Sequence, residues 1–188
     1  MTTPSYSVYG LATPLLRPGD DVAAHLLSSV ERSAARGFET GDVVVVAESA
    51  LATAEGRVVR LADVEPSAEA LRLAEEYHMD SRRIVGGIPG FLLCMKNGTL
   101  LPNAGIDASN APAGSLVLLP LDPDASAARI RAAIRERSGA DVGVIVIDSR
   151  THAMRLGCSG VAIGCSGIPS VVDERGKKDL FDRELEVT

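Results

Sequence analysis

The dipeptide Asn97-Gly98 is the feature that most restricts how this chain can fold. It lies between two apolar runs, FLLCMK and TLLP, and Asn-Gly in that setting predicts a β-hairpin with a type I′ turn. A two-residue hairpin joins antiparallel strands, so the chain contains a sheet that is at least partly antiparallel. The phosphate-binding pattern GxxxxGK[ST] does not occur. We therefore predict an α+β fold with a mixed or antiparallel sheet and about three helices, which is neither a P-loop nor a Rossmann domain.

Helices and further strands are predicted on both sides of the hairpin. Apolar residues at every fourth position from Val22 to Ala34 predict a helix that begins after Asp21 and stops at Gly37. The glycine-rich segment 86–90 is predicted to be a turn. The other predicted helices are 66–77 and 126–138. The predicted strands are 6–10, 43–47 (buried), 91–96, 99–102, 115–120, 142–148, a short strand within 157–167, and 184–188.

The acidic composition limits the partners of this protein. Its 188 residues carry a net charge of −6 without any basic run interleaved with aromatic residues, so we expect no nucleic-acid partner. No apolar run reaches the ~20 residues of a membrane span, and MTTPSYSVYG does not resemble a signal peptide. Cys94, Cys158 and Cys165 form no C-x-x-C pair and are predicted to be small buried side chains in a reducing cytoplasm. The length fits a single domain, 1–188.

Two aspartates are candidates for a metal site. Asp107 lies in the loop LPNAGIDASN among residues too small to bury it, and Asp148 ends the most apolar predicted strand, VGVIVID. Carboxylates on different loops are typical ligands of Mg²⁺ or Mn²⁺ ions that hold phosphates. The residue pattern alone leaves a second interpretation open, in which both side chains are solvated turn aspartates.

Several segments in a fixed order point to a known family. They are VYGLATPLLRPGDD, AESALATAEGRVVRL, LPNAGIDASN, LDPDASAARIR, DVGVIVIDS, GVAIGCSGI and KKDLFDRELEVT. In this order the chain resembles the coenzyme F-420-0:L-glutamate ligases, the gamma-glutamyl ligases of deazaflavin cofactor biosynthesis. The resemblance extends from about residue 7 to the last residue.

The resemblance implies a GTP-dependent amide ligase. In that family GTP phosphorylates the terminal carboxylate of the deazaflavin precursor, coenzyme F-420-0, and the amine of L-glutamate attacks the resulting acyl phosphate. Two divalent cations, Mg²⁺ or Mn²⁺, hold the triphosphate, and the enzyme is a homodimer. GTP, L-glutamate, the precursor and a second copy of the chain are therefore the expected partners.

The same resemblance assigns roles to individual residues. It makes Asp107 and Asp148 the catalytic carboxylates, as ligands of the first metal, and it makes Ser149 a hydroxyl ligand of the second metal. The positions that correspond to nucleotide contacts of the family are Thr13, Pro14, Leu15, Leu16, Glu48, Ser49 and Asn110. These residue types suit the chemistry, because hard oxygen ligands bind Mg²⁺ and the ions offset phosphoryl charge.

Departures from the family pattern leave the function partly open. Thr53 stands where the family usually has a lysine, and His152 lies where the family tends to have an arginine. The family also continues past ELEVT, so we expect its C-terminal segment to be absent here, with turnover by this chain alone uncertain. Three interpretations remain: the glutamate ligase of the deazaflavin pathway, an amide ligase with another acid and amine in a specialised pathway, and a non-catalytic homologue that binds nucleotide or cofactor.

Overall fold

The structure, a computed structural model, describes residues 5–65, 84–88, 91–96, 99–152 and 154–187, and for 84–88, 91–96, 99 and 100 it describes the backbone alone. The predicted helix 66–77 and the Asn97-Gly98 turn itself lie outside the described residues. Among the described residues, no helix is both long and apolar enough to cross a membrane.

The described part of the chain forms three α-helices and eight strands. The helices are α1 (Val22–Glu31), α2 (Glu48–Ala54) and α3 (Pro123–Ser138). The strands are β1 (Val43–Ala47), β2 (Val58–Arg60), β3 (Ile84–Ile88), β4 (Phe91–Lys96), β5 (Thr99–Pro102), β6 (Ser115–Val117), β7 (Gly143–Thr151) and β8 (Cys158–Ser166). A single 3₁₀ turn occurs at Leu61–Asp63, and Asn103–Gly105 form a left-handed turn.

A mixed three-stranded sheet supports the main hydrophobic core. Its order is β1-β7-β8, with β1 parallel to β7 and β7 antiparallel to β8. α3 packs against β7 and β8, and α1 packs against α3. The other described strands form two antiparallel sheets, β2-β6 and β3-β4-β5. The predicted α+β class, with mixed and antiparallel sheets and about three helices, is confirmed.

α1 begins where the sequence predicts and ends earlier. The Asp21 carboxylate caps it by accepting a hydrogen bond from a first-turn N–H at 3.0 Å. The buried members of the predicted stripe are Val22, Leu26 and Val30. Extension of the helix to Ala34 and a stop at Gly37 are wrong, because the helix ends at Glu31 and Ala34 is exposed. The Ser33 hydroxyl donates to a carbonyl of the last turn at 2.7 Å, which competes with continuation of the helix.

α3 has strong local signals at both of its ends. The Asp122 carboxylate accepts a hydrogen bond from Ala125 N–H at 2.9 Å, and Pro123 occupies the first turn. Gly139 ends the helix in the left-handed conformation, with φ of 78°. The helix predicted for 126–138 therefore exists and begins three residues earlier, at Pro123. Its buried residues include Ile130 and Ile134.

The predicted hairpin is confirmed, and the predicted turn before it is wrong. β4 pairs with β5 in antiparallel register up to Lys96 opposite Thr99. The segment 86–88 belongs to β3, where Gly86 and Gly87 pair with residues of β4 next to a register shift. Glycines tolerate such an irregular strand, so this glycine run is strand and not turn; Pro89 and Gly90 lie outside the described residues.

Other expectations for the strands and cysteines need correction. β1 is buried on one face only, with Val43 and Val45 about half exposed, because the hydrophobic core packs against the opposite face, which carries Val44 and Val46. No strand forms at 6–10. Segment 184–188 forms a single bridge, Lys178 to Glu184, in its described part. Cys158 is exposed at the start of β8, against the prediction, while Cys165 is half-buried.

Candidate active site

The parallel pair β1 and β7 brings two carboxylates to one edge of the mixed sheet. The last residues in register are Ala47 and Ile147, so Glu48 and Asp148 follow at equivalent positions. The even-numbered valines of both strands are buried on one face of the sheet, and strand alternation places Asp148 on that face too. Glu48 begins α2 and is only 6% exposed. Side chains at the carboxyl ends of parallel strands commonly form ligand sites.

Glu48 lies in an unfavourable electrostatic environment. Burial raises the pKa of its carboxyl, and the negative charges of Asp148 and then Asp107 raise it further, to about 7. Both sequence-predicted metal ligands therefore act electrostatically on the same buried carboxyl. The family resemblance assigned Glu48 only to a nucleotide contact, and nothing in the local sequence shows that this residue is buried.

A strand bridge and an aspartate turn position Asp107. Its backbone pairs with Val117 through two hydrogen bonds of 3.0 and 2.8 Å. Its carboxylate accepts the Ser109 N–H at 2.7 Å and the Ser109 hydroxyl at 2.6 Å. The side chain is half-buried, so the loop holds the carboxylate in one orientation while part of it stays accessible.

A left-handed turn precedes Asp107. Residues Asn103, Ala104 and Gly105 have φ of 48°, 54° and 75°, a conformation that is costly for residues with a Cβ atom. Gly105 also packs against Leu119, since a Cβ at this position would lie 2.6 Å from Leu119 Cδ1. The small residues of this loop, noticed in the sequence for their size, therefore permit a tight turn and a close approach.

Asp148 has a buried cationic neighbour. Arg150 lies two residues further along β7 and on the same face, and its Nε donates to Asp148 Oδ2 at 3.2 Å. The side chain of Arg150 is 5% exposed and that of Asp148 is 13% exposed. Sequence analysis did not identify Arg150, although its alternation with Val144 and Val146 along the strand could have placed it on the inner face.

The remaining predicted site residues are more peripheral. Ser149 is exposed, and strand alternation turns it away from the face that carries Asp148. Asn110 is exposed with a left-handed φ of 58°. Ser49 is half-buried in the first turn of α2. The segment 13–16 precedes α1, with Thr13, Pro14 and Leu15 exposed and Leu16 packed against the core. Their nucleotide and metal roles stay predictions.

The three carboxylates fit a cation in charge and in ligand type. The pKa of Glu48 is raised first by burial and then by the negative charges of Asp148 and Asp107, which a bound cation would offset, and carboxylate oxygens are ligands of Mg²⁺ and Mn²⁺. Within the described ranges, however, no three His, Cys, Asp or Glu side chains are grouped closely enough to hold a metal. The oxygens of Asp107 are bonded to Ser109, so ion binding would require this side chain to exchange partners.

Thr53 and His152, which stand where the family usually has basic residues, add no cation to this group of carboxylates. Thr53 is half-buried on α2. His152 is exposed, and its Nε2 lies 2.8 Å from the Ser159 hydroxyl on β8. Arg150 is therefore the buried cation in direct contact with the predicted metal ligands within the described residues.

Comparison with known proteins extends over nearly the whole chain. A family model described as F420-0:Gamma-glutamyl ligase matches residues 10–188. A Coenzyme F420:L-glutamate ligase of Methanopyrus kandleri is 41% identical over 184 residues, which cover 92% of this chain and 71% of the relative. The protein of the same name from Archaeoglobus fulgidus is 42% identical over 193 residues, covering 97% and 74%. That of Haloarcula marismortui is 38% identical over 191 residues, covering 93% and 72%.

Proposed function

This chain belongs to the F420-0:gamma-glutamyl ligase family, and from that membership we propose that it adds L-glutamate to coenzyme F-420-0 in a GTP-dependent reaction. The observation that carries this proposal is the arrangement of three carboxylates, in which the charges of Asp148 and Asp107 act on the buried Glu48. A ligase that consumes a nucleoside triphosphate needs such oxygen ligands for divalent cations.

The proposed reaction has two group-transfer steps. In the first, a carboxylate oxygen of the precursor bonds to the γ-phosphorus of GTP, and the bond to the bridging oxygen breaks to release GDP. In the second, the glutamate nitrogen bonds to the acyl carbon, the bond from that carbon to the phosphate oxygen breaks, and phosphate leaves with the amine proton passing to solvent. The products are the amide, GDP and phosphate in equal amounts.

The residues of the chain have separate tasks in this proposal. Asp107 and Asp148 would hold the first of two divalent cations, Mg²⁺ or Mn²⁺, and Ser149 would contribute to the second. Bound cations would offset the charge of the phosphates during transfer. The nucleotide-binding residues are those that correspond to the family's contacts: Thr13, Pro14, Leu15, Leu16, Glu48, Ser49 and Asn110.

GDP formation is the direct test of this function. Purified protein is incubated with GTP and Mg²⁺, with and without the precursor and L-glutamate, and GDP, phosphate and amide are quantified. We expect equal amounts of the three products when both substrates are present. Asp148→Asn should lower the rate by at least about 100-fold, because it weakens a metal ligand. Asp63→Asn is the matched control, since Asp63 is an exposed partner of Arg60. GTP hydrolysis that is indifferent to both substrates, without amide formation, would refute the proposal.

We also propose that the chain forms a homodimer. The outer face of β1 exposes Val43 and Val45, and the C-terminal region exposes Leu180 and Phe181 at 98% and 77%. Val43 and Val45 are neighbours on one face of β1, and adjacent exposed apolar side chains favour a protein interface. Light scattering during size-exclusion chromatography should give twice the chain mass of 19.6 kDa. A monomer mass at micromolar concentration would contradict the dimer and leave the proposed reaction untouched.

A further inference from the structure

Arg150 is a buried arginine, and most of its donors have no acceptor among the residues that the structure describes. Its side chain is 5% exposed, and within the described part of the chain its guanidinium forms one hydrogen bond, from Nε to Asp148 Oδ2. A guanidinium carries five N–H donors, so the Nη donors find no acceptor there. Buried donors without an acceptor cost free energy, and a charged group costs more. A side chain kept in this state indicates a ligand that supplies the acceptors.

The position of Arg150 shows which ligand it can reach. β1 ends at Ala47, opposite Ile147, so from Asp148 onward β7 is paired only with β8 among the described strands. Arg150 lies beyond that end of β1, two residues after Asp148, and on the inner face. Since a planar guanidinium binds two oxygens of one anion in parallel, its Nη groups fit a phosphate or a carboxylate.

We propose that Arg150 is a substrate-binding residue, whose Nη donors bind an oxyanion of one of the reactants beside Asp148. The anion is a phosphate of the nucleotide or the carboxylate of the amino acid, and the identity of these reactants rests on the proposed function. This assignment would also give an acidic chain a buried cation for an anionic substrate. Thr53 and His152, which stand where the family usually has basic residues, do not supply one. Nε bonded to Asp148 fixes the plane of the guanidinium, so the Nη groups point in one direction.

The test measures binding of two anions separately by isothermal titration calorimetry. The probes are inorganic pyrophosphate with Mg²⁺ and L-glutamate, added to wild-type protein, Arg150→Met and Arg150→Lys. Arg60→Met is the control, because it removes an arginine that also bonds to an aspartate through Nε, but on the surface. Loss of a charge-assisted bidentate contact should weaken binding of one probe by about 10- to 100-fold in Arg150→Met. Arg150→Lys keeps the positive charge but cannot bind two oxygens of one anion in parallel, so we expect binding to weaken by about 10-fold.

Each outcome decides the proposal. Weaker pyrophosphate binding identifies the nucleotide phosphates as the ligand, and weaker glutamate binding identifies the amino-acid carboxylate. Binding of both probes within twofold of wild type in the two variants, together with a lower melting temperature, would make Arg150 only a positioning residue for Asp148 and overturn the proposal. Wild-type protein that binds neither probe would also overturn it. If Arg150→Met does not fold, Arg150→Lys alone decides.

The two proposals fail independently. Loss of pyrophosphate or glutamate binding in the Arg150 variants of a protein that makes no glutamyl amide would support the anion site and refute the ligase. Full glutamyl transfer by Arg150→Lys with unchanged KM values for GTP and glutamate would support the ligase and refute the anion site.

Discussion

Replacing Glu48 by glutamine should stabilise the protein, and the gain should grow with pH. Glu48 is 6% exposed, and burial together with the charges of Asp148 and Asp107 raises its pKa from 4.5 to about 7. Between these two values the folded protein holds a proton that the unfolded chain has lost. Unfolding then releases a proton, so the contribution of Glu48 to stability falls as the pH rises from 4.5 towards 7 and is constant above that.

The size of the effect follows from the two pKa values. Each pKa unit corresponds to about 1.36 kcal/mol, so the full penalty for ionised Glu48 is about 3 kcal/mol above neutral pH. Glutamine keeps the shape of the side chain and has no charge to bury. Glu48→Gln should therefore exceed the wild type in free energy of unfolding by about 1 kcal/mol near pH 5 and by about 3 kcal/mol near pH 8.

Urea unfolding of both proteins at several pH values, without divalent cations, measures this difference. Glu136→Gln, an exposed glutamate of α3, controls for the loss of one negative charge and should show no comparable growth. A difference between Glu48→Gln and wild type that stays constant or shrinks as the pH rises would refute the electrostatic argument. That result would mean that neither burial nor the charges of Asp148 and Asp107 raise the pKa of Glu48 in the folded protein.

Three further predictions concern the same site and its scaffold. Mg²⁺ binding near pH 6.5 should release protons from the wild type and fewer from Glu48→Gln, because Glu48 is partly protonated at that pH. Titration calorimetry in buffers of different ionisation enthalpy measures the number of protons released, and equal release by both proteins would contradict the prediction. Gly164→Ala should lower the free energy of unfolding by about 1–3 kcal/mol, because a Cβ would lie 2.5 Å from Pro123 on α3. Gly10→Ala, with open space around it, is the control, and similar urea midpoints would contradict the packing. Asp122→Ala should cost about 1 kcal/mol by removing the cap of α3, and an unchanged urea midpoint would contradict that role.

The sequence predicted α3 and the β4-β5 hairpin because residues at the ends of these elements favour a helix stop or a turn by themselves. α3 has Asp122 before it and Gly139 after it, and the hairpin has Asn97-Gly98 between its strands, so a few adjacent residues suffice for each. The glycine segment 86–88 was mispredicted because its strand conformation depends on pairing with β4. A glycine run favours a turn only where no neighbouring strand supplies hydrogen-bond partners.

The candidate site was only partly predictable for a related reason. Asp107 and Asp148 could be identified from their segments and from the family resemblance. Glu48 and Arg150 are distinguished by burial, which depends on how β1, β7 and the helices pack. Strand alternation with Val144 and Val146 indicates the inner face for Arg150, but no comparable local pattern shows that Glu48, the first residue of a helix, would be buried and acquire a raised pKa.

The charges of these four residues explain how an acidic protein can bind anionic substrates. With Glu48 ionised, the cluster has three negative charges and the single positive charge of Arg150, so on its own it repels phosphate. One divalent cation would balance the cluster, and a second would leave it positive, since each adds two charges. Binding of the anion is then linked to binding of the cations, because Arg150 alone cannot offset three carboxylates. The affinity for pyrophosphate should therefore depend steeply on Mg²⁺ concentration, whereas an anion site built from surface lysines would depend mainly on ionic strength.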